Sequence, residues 1–363
     1  DRSRFAVTLV GIIFAVVLIA MQLGLFLGFS DATTVIIRHT HADFWIVARG
    51  AQNFEITMPL KERELYLASS VPGVGKAERL LVQFVPWKKP GGGDESIILV
   101  GFDLNSGLAG PWNLVEGSPE DLRRPDAVIV DRIYMEKLGI DKVGVELEIK
   151  GQRARVVGLT QGIRSFTTSP WVFASFRTAQ GFSRLPDDEF NYVIGTFAPG
   201  ADPTAVQEAL AQALPRCDVY LSADFAARTR DYWMFTTGAG ASVLVSALLG
   251  LLVGSVIVAQ VLYATTVDHL TEFGTLSAMG APRDFIYKVI LGQAAISATL
   301  GHVPGIALAL LLAKASELSA AVVLVPWELA VGLYGVTLAM CMLASLVSIR
   351  KAMGIDPAMV FQR

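Results

Sequence analysis

Two histidines and an aspartate lie close together early in the chain, at His39, His41 and Asp43. Alternate residues of a strand face the same side, so these side chains resemble part of a zinc site. A zinc site needs three or four ligands, and the other two histidines, His269 and His302, belong to distant segments. The pattern therefore favours solvated residues, and we expect no metal on this chain.

A second chemical motif, Gly73-Val-Gly-Lys76, resembles the end of a phosphate-binding loop. That loop also needs a glycine at position 70 and a serine or threonine at position 77, where the chain has Ser70 and Ala77. The segment is therefore a turn between a helix and a strand. Neither H-E-x-x-H nor G-x-S-x-G occurs, so we expect no catalytic residues and no cofactor on this chain.

The composition is typical of a membrane protein. Apolar residues make up 53% of the 363 residues and charged residues 17%, which is below the roughly 25% of soluble domains. The net charge of −3 gives no field that would attract nucleic acid. Two cysteines, Cys217 and Cys341, are too few for a disulfide framework, and we expect both to be buried and apolar.

Four stretches contain no Asp, Glu, Lys or Arg, and each exceeds the about 20 residues that a helix needs to cross a bilayer. These stretches are Phe5–Ser30, Tyr232–Val267, Val289–Ala313 and Leu329–Ile349. The first is longer than a signal peptide, so we interpret it as a retained helix. The second is longer than a bilayer requires, and we predict one continuous helix that extends beyond the membrane.

The positive-inside rule sets the orientation of the four spans. Outside 31–231, all basic residues except Lys314 fall on one side if both termini and the 268–288 loop share that side. That side is therefore cytoplasmic. The predicted segments are a first span (1–30), an external domain (31–231), a second span (232–267), a cytoplasmic loop (268–288), a third span (289–313), a short external loop (314–328), a fourth span (329–349) and a cytoplasmic tail (350–363).

The external domain alternates strands and helices, which predicts a mixed α/β fold. We expect two lobes with a boundary near 104–126. A hairpin is predicted around Gly151, with Val145–Ile149 and Ala154–Leu159 as its strands. Asp202 is the predicted N-cap of a helix whose first residue is Pro203.

Two features lie inside the predicted spans. His302 stands mid-span near Pro304, where an ionisable residue can handle protons or ligands but can also serve packing alone. Small residues recur every fourth position, which allows helix backbones to approach closely within one chain or in a dimer. The glycines of this helix-packing pattern are Gly250, Gly254, Gly301 and Gly305.

In the cytoplasmic loop, Leu270, Phe273, Leu276 and Met279 recur every third residue, which predicts a short amphipathic helix. Such a helix suits the groove of a partner protein. The segment Glu272-Phe-Gly-Thr-Leu-Ser-Ala-Met-Gly-Ala281 resembles the E-[IF]-G-x-L-x-A-x-G-A loop of FtsX-like ABC transporter permeases. The resemblance extends to the one-plus-three helix order and to the ending Ile349–Pro357. The opening Arg4–Gly24 is similar to DevC-type permeases in particular.

This resemblance implies a MacB-like, type VII ABC transporter fold. It implies a permease homodimer in the inner membrane, in which each chain contacts a separate ABC ATPase that binds ATP and Mg. The ATPase-coupling residues are Glu272, Phe273, Gly274, Leu276, Ala278, Met279, Gly280 and Ala281. The implied activity is export by mechanotransmission, together with an HlyD-like periplasmic adaptor and a TolC-like outer-membrane channel.

Three alternatives stay open. An FtsX-like signalling permease would move no cargo and would instead control a periplasmic cell-wall hydrolase. Extraction of lipoproteins or efflux of haem would keep the transport function without the tripartite assembly. A membrane-anchored enzyme is disfavoured because the sequence shows no catalytic set. The sequence does not name the cargo.

Overall fold

The computed structural model describes residues 2–167, 169–269, 272, 275, 276, 279–316 and 322–352. The chain divides into two compact units, of which one contains the long apolar helices and the other is the α/β domain within Phe29–Gly240. The described helices are α1 (Arg2–Ala32), α2 (Val35–Arg38), α3 (Glu62–Ser69), α4 (Met135–Leu138), α5 (Phe176–Phe182), α6 (Pro203–Ala213), α7 (Ser222–Asp231), α8 (Ala239–Asp268), α9 (Arg283–Ser316) and α10 (Trp327–Ala352).

Four of these helices, α1, α8, α9 and α10, are long and apolar enough to cross a membrane. They contain the predicted spans 5–30, 289–313 and 329–349 in full, so these three spans are confirmed as helices. Within this unit α1 has a buried face. Ile12, Ala15, Val16 and Ile19 on α1 are each 1% exposed or less, because α8 and α9 pack against them.

The second span differs from its prediction. The predicted continuous helix from Tyr232 to Val267 is wrong, because the helical stretch is interrupted before α8 begins at Ala239. A single π-helical turn, Tyr232–Thr236, follows α7. Gly238 then has φ +76°, which is left-handed backbone that ends a right-handed helix and that glycine adopts without strain.

Twelve strands are described in the α/β domain. They are β1 (Phe44–Ala48), β2 (Leu60–Lys61), β3 (Val74–Lys88), β4 (Asp94–Phe102), β5 (Leu114–Glu116), β6 (Ala127–Asp131), β7 (Glu146–Ile149), β8 (Gln152–Thr160), β9 (Trp171–Ser175), β10 (Glu189–Phe190), β11 (Tyr192–Phe197) and β12 (Cys217–Leu221). Ten of them form one sheet in the order β12-β1-β11-β3-β4-β9-β6-β8-β5, with β7 beside β3 and β8. The short strands β2 and β10 pair separately.

The long strand β3 joins the two halves of this sheet. Its first half pairs with β11, and its second half pairs with β4 from Leu81 onward. Most strand pairs of the sheet are antiparallel. The pairs β4–β9 and β6–β8 are parallel. The chain crosses between the halves more than once, and the predicted boundary of two lobes near 104–126 stays a prediction.

Both faces of the sheet are buried. Alternate residues of a strand point to opposite faces, so Phe44 packs on one side and Trp45 on the other. The first face lies under α3, α5 and α6, and the second under α2, α7 and the loops around Phe54. Buried aromatic rings dominate the second face, where Trp45, Phe54 and Tyr192 contact one another at 5.4–5.7 Å between centroids.

Several local predictions in this domain are confirmed. The hairpin of β7 and β8 turns at Gly151, whose φ is +78°. Asp202 caps α6, since its Oδ1 accepts a hydrogen bond from the Thr204 amide at 3.1 Å. Pro203 is the first residue of that helix. Each of these three features depends on residues that are neighbours in the sequence, so local sequence patterns predict it.

Candidate functional site

The loop between α8 and α9 contains the candidate coupling residues. Glu272 and Leu276 are helical, and the Thr275 hydroxyl donates to the Glu272 carbonyl at 2.7 Å. The Glu272 carboxylate lies 3.0 Å from Nδ1 of His269, and its side chain is 72% exposed. Met279 is 76% exposed, a high value for a large apolar side chain. Through its described residues the loop therefore presents an acidic and an apolar group to its surroundings.

Gly280 ends this helical segment. Its φ is +92°, and the Ala281 amide donates to the Leu276 carbonyl at 3.1 Å. A hydrogen bond across five residues around a left-handed glycine is the Schellman arrangement that closes helices. The Met279 amide also donates to the Thr275 carbonyl, at 3.0 Å. The loop thus has a defined end just before α9. The predicted coupling residues Phe273, Gly274 and Ala278 lie outside the described residues.

The glycines of the small-residue pattern face α1. A Cβ atom built at Gly254 would lie 2.9 Å from the Ile19 side chain, and one at Gly305 would lie 2.9 Å from Val16. Gly301 faces Ile12, and Gly250 faces Gln22, in the same way. Of the two uses that the sequence left open, these contacts show packing within one chain.

His302 lies on α9 in contact with α10. The residue is 7% exposed, and the centroid of its ring lies 5.2 Å from that of the Tyr334 ring. The Tyr334 hydroxyl lies 2.9 Å from the hydroxyl of Thr299, also on α9. Among the described residues, Nδ1 of His302 has no hydrogen-bond partner. The two helices therefore share a small polar cluster of Thr299, His302 and Tyr334, in which Nδ1 of His302 makes no hydrogen bond to the described residues.

The early histidine cluster is used for structure. His39 stacks on Trp112 with 4.0 Å between ring centroids, and its Nδ1 lies 2.8 Å from the Val35 carbonyl. The Asp43 carboxylate accepts the Phe197 amide at 2.8 Å. In the described part of the chain, no group of three or more metal-binding side chains comes together. Cys217 is buried, and burial raises the pKa of its thiol to about 11.

One buried acid in the α/β domain has no counterpart in the sequence analysis. Glu55 is 7% exposed, and its carboxylate accepts a hydrogen bond from Nε1 of Trp233 at 2.8 Å. Burial raises the pKa of Glu55 to about 7, against the lowering effect of the Trp233 donor. These residues are 178 positions apart, so no local pattern joins them. The isolated Glu55 in an apolar stretch, Phe54–Pro59, is the one signal that the sequence offers.

Comparison with known families now decides the identity. The profile of the MacB-like periplasmic core domain matches residues 5–213, more than half of the chain. The profile of the FtsX-like permease C-terminal region matches residues 244–357. The chain belongs to the MacB/FtsX family of ABC transporter permeases. The resemblance to FtsX-like permeases and the MacB-like fold class are therefore confirmed, whereas the DevC type stays a prediction.

Relatives of this permease carry the same general name. An uncharacterized ABC transporter permease of Mycobacterium tuberculosis is 25% identical over 364 residues, which cover 99% of this chain and 95% of that protein. An uncharacterized ABC transporter permease of Methanocaldococcus jannaschii is 23% identical over 181 residues, which cover 48% of this chain and 45% of that protein. The alignment with the first of these relatives thus runs along nearly the whole chain.

Solved structures similar to this permease cover its α/β domain. The periplasmic region of MacB from Actinobacillus actinomycetemcomitans is 12% identical with a TM-score of 0.39, and it covers 53% of this chain and 94% of that structure. The extracellular domain of the noncanonic ABC-type transporter YknZ from Gram-positive bacteria is 16% identical with a TM-score of 0.37. The match covers 49% of this chain and 98% of that structure.

Proposed function

We propose that this permease is the membrane subunit of an ATP-driven transporter whose ATPase is a separate protein. The loop between α8 and α9 is the contact for that ATPase. The single observation that carries this proposal is the geometry of the loop, a glycine-capped helical segment with an exposed Met279 and an exposed Glu272. An apolar side chain exposed beside a charged one is the usual composition of a protein–protein contact.

The proposed orientation follows from charge. Arg283 and Lys288 stand near the start of α9, and Arg350 and Lys351 stand at the end of α10. On the positive-inside rule we propose that these ends lie in the cytoplasm together with both termini, and that the α/β domain lies outside the inner membrane. An ATPase that binds the loop then has direct access to cytoplasmic ATP and Mg²⁺.

The helices provide a route for mechanical work. α8 has 30 residues and is therefore about 45 Å long. It packs on α1 through Gly254, where the backbones approach closely enough that a Cβ would lie 2.9 Å from Ile19. Movement of the loop at one end of α8 would therefore shift α8 and α1 together. We propose that this coupled movement, and not a pore between the helices, drives export.

The proposed assembly has a second copy of this chain and an ATPase dimer. An HlyD-like adaptor on the α/β domain and a TolC-like channel would complete a DevC-type tripartite exporter. The cargo is left unassigned, because the features of the α/β domain described above are core contacts. Control of a cell-wall hydrolase, lipoprotein extraction and haem efflux are distinguished from export by the proteins recovered in the experiment below.

The test is affinity purification of the full chain from its native host in mild detergent, followed by quantitative mass spectrometry. We expect an ABC ATPase in equimolar amount with the wild type. Glu272→Arg should lower its recovery at least tenfold, because charge reversal opposes the contact at its centre. The matched control is Glu208→Arg, at an exposed position of α6, which should leave recovery unchanged.

The outcomes separate the proposals. Recovery of an adaptor with the ATPase supports the tripartite exporter, and recovery of a hydrolase in its place supports the signalling permease. A wild-type preparation without any ABC ATPase would refute the proposed function. Equal loss in Glu272→Arg and Glu208→Arg would refute the assignment of the loop as the contact.

A further inference from the structure

The Glu55 carboxyl is held in place by its own loop. The loop lies between β1 and β2, and Oδ1 of Asn53 accepts the amides of Glu55 at 3.0 Å and Ile56 at 2.8 Å. An asparagine that binds the backbone two and three residues ahead fixes a tight turn. Asn53 is itself 2% exposed. Glu55 is therefore directed inward by a rigid turn, and its burial is a built feature of the domain.

The partner of Glu55 lies at the connection to α8. Trp233 belongs to the π-helical turn, and only Gly238 and its neighbours separate this turn from α8. π-Helical turns are rare and occur frequently at functional sites. The Trp233 ring contacts Phe166 with 4.8 Å between centroids, and Phe166 contacts Phe29 at 5.6 Å.

These contacts among Phe29, Phe166 and Trp233, here called the aromatic chain, join both ends of the α/β domain. Phe29 lies in the last turns of α1, where the chain enters the domain, and Trp233 lies where the chain leaves it. Glu55 is hydrogen-bonded to the second of these ends. Any movement of the Trp233 turn relative to the domain must therefore break or stretch the Glu55–Trp233 hydrogen bond. We call this pair of residues the Glu55–Trp233 contact.

The charge state of Glu55 sets the strength of this contact. A neutral carboxyl still accepts the Trp233 N–H at its carbonyl oxygen. An ionised one is a buried charge, and its desolvation outweighs the favourable bond, since the pKa of Glu55 is raised to about 7. The buried position therefore favours the protonated form, and loss of the proton favours a conformation in which the carboxylate reaches water.

Ionisable groups on the neighbouring elements do not neutralise this charge. Tyr192 on β11 donates its hydroxyl to the Phe54 carbonyl, and burial and the charge of Glu55 raise its pKa well above 10. Arg228 on α7 donates to the Ala51 carbonyl at 3.1 Å. The two charged residues at the end of α7, Arg230 and Asp231, pair with each other at 3.3 Å.

Arg164 is a further charged residue, two positions before Phe166. Its charge acts on Tyr134, where it lowers the phenol pKa against the larger effect of burial. Within the described residues, no ion pair involves Glu55. The proton is therefore the ligand that can compensate the buried carboxylate.

We propose that the Glu55–Trp233 contact is a proton-sensitive device that holds the segment leading into α8 against the α/β domain when Glu55 is protonated and releases it when Glu55 loses its proton to water. The permease would then respond to the pH of the compartment that contains this domain. The inference depends on the α/β domain alone and stands apart from the proposed ATPase contact.

The test is hydrogen exchange with mass spectrometry on the full chain in detergent, at pH 6 and pH 8, corrected for the chemical exchange rate. A carboxyl with pKa 4.5 when released and about 7 when buried makes opening about tenfold more favourable at pH 8 than at pH 6. We therefore expect amides in 232–240 to lose about tenfold protection over this range.

Variants separate the device from a general pH effect. Glu55→Gln keeps the acceptor for Trp233 without a charge, so the peptide should stay protected at both pH values. Glu208→Gln, at an exposed site, should retain the wild-type profile. Trp233→Phe removes the donor that favours the charged form, so the midpoint of the transition should move to higher pH while protection falls overall.

Three results would overturn the inference. The first is a wild-type peptide whose corrected protection is equal at pH 6 and pH 8. The second is a Glu55→Gln profile with the same pH dependence as the wild type. If Glu55→Gln does not fold, Trp233→Phe decides, and an unchanged midpoint would show that the two residues are not coupled.

Discussion

The two ends of α8 differ in how exposed their side chains are and in what those side chains contact. The loop that follows α8 exposes its acidic and apolar groups, with Glu272 at 72% and Met279 at 76% exposure. The turn that precedes α8 is tied to the domain through Trp233, and its acidic partner Glu55 is 7% exposed. An exposed end can bind another protein, whereas a buried end can only transmit or resist movement within the chain.

This difference teaches where substitutions should act. Changes at the buried end should alter stability and its dependence on pH, because burial amplifies electrostatic terms. Changes at the exposed end should leave stability nearly unchanged and alter association with a partner, because exposed groups are well solvated. The expected changes in free energy are larger for Glu55 and Trp233 at the buried end than for Gly280 and His269 at the exposed end.

Glu55→Gln should remove a pH dependence of stability. The pKa of Glu55 is raised from 4.5 to about 7, so between these values the folded protein holds more protons than the unfolded one. The free energy of unfolding therefore falls as pH rises through this window, by roughly 3 kcal/mol in total, and levels off above pH 7. Chemical unfolding of the full chain at pH 5 and pH 8 measures this fall in the free energy of unfolding. If wild type and Glu55→Gln differed by the same free energy at both pH values, the prediction would be contradicted.

Trp233→Phe should destabilise the α/β domain by about 1–3 kcal/mol at pH 6. The substitution keeps the aromatic contact with Phe166 but leaves the buried Glu55 carboxyl without its donor. Thermal unfolding followed by near-ultraviolet circular dichroism gives the shift. The double variant Glu55→Leu with Trp233→Phe provides the control. Its loss of unfolding free energy should be smaller than the sum of the losses in the two single variants. Simple additivity would show that the hydrogen bond contributes nothing.

Gly280→Ala should disturb the loop by about 1–2 kcal/mol without affecting the domain. At φ +92° an alanine is strained even though no atom lies within 4 Å of its Cβ. Hydrogen exchange of the 269–282 peptide should become faster, and recovery of the ATPase should fall. Gly292→Ala is the matched control, because Gly292 lies within α9 and its Cβ would also meet open space. Equal effects of both substitutions would contradict the role of the cap.

His269→Ala should change stability by less than about 1 kcal/mol. The Nδ1 atom lies 3.0 Å from the Glu272 carboxylate, but the acid is largely solvated, and exposed ion pairs contribute little. The unfolding midpoint should match the wild type within error, whereas ATPase association should respond more to Glu272→Arg. A large loss of stability would show that the loop is packed in place and not free for a partner.

The described residues at the exposed end of α8 follow from local sequence signals, whereas the contacts at the buried end do not. Apolar spacing in the loop and Gly280 are local signals, and the predicted spans lack charges over lengths that suffice for a helix to cross a bilayer. The interruption at Gly238 was missed because a single glycine is common within apolar helices. The Glu55–Trp233 contact depends on tertiary folding across 178 residues, which no local period reports.

The α/β domain shows the same division. Asp202 caps its helix through its side-chain Oδ1, Gly151 forms its turn through a left-handed backbone, and both were predicted at their positions. Strand β9 and helix α5 were missed, because Trp171–Ser175 is a short apolar run whose identity as a strand comes from parallel pairing with β4. Long-range pairing of this kind is set by the sheet as a whole, so its residues carry no periodic signal of their own.

The central claim is that the loop after α8 meets a separate ATPase, and site-directed crosslinking tests it most directly. Cys217 and Cys341 are buried, so a bifunctional maleimide reagent on Met279→Cys would act at one exposed site. Tyr66→Cys, at a position 67% exposed in the α/β domain, is the matched control. We predict a crosslink to the ABC ATPase from position 279 and none from position 66. Absence of that product from position 279, in a complex that retains the ATPase, would contradict the account.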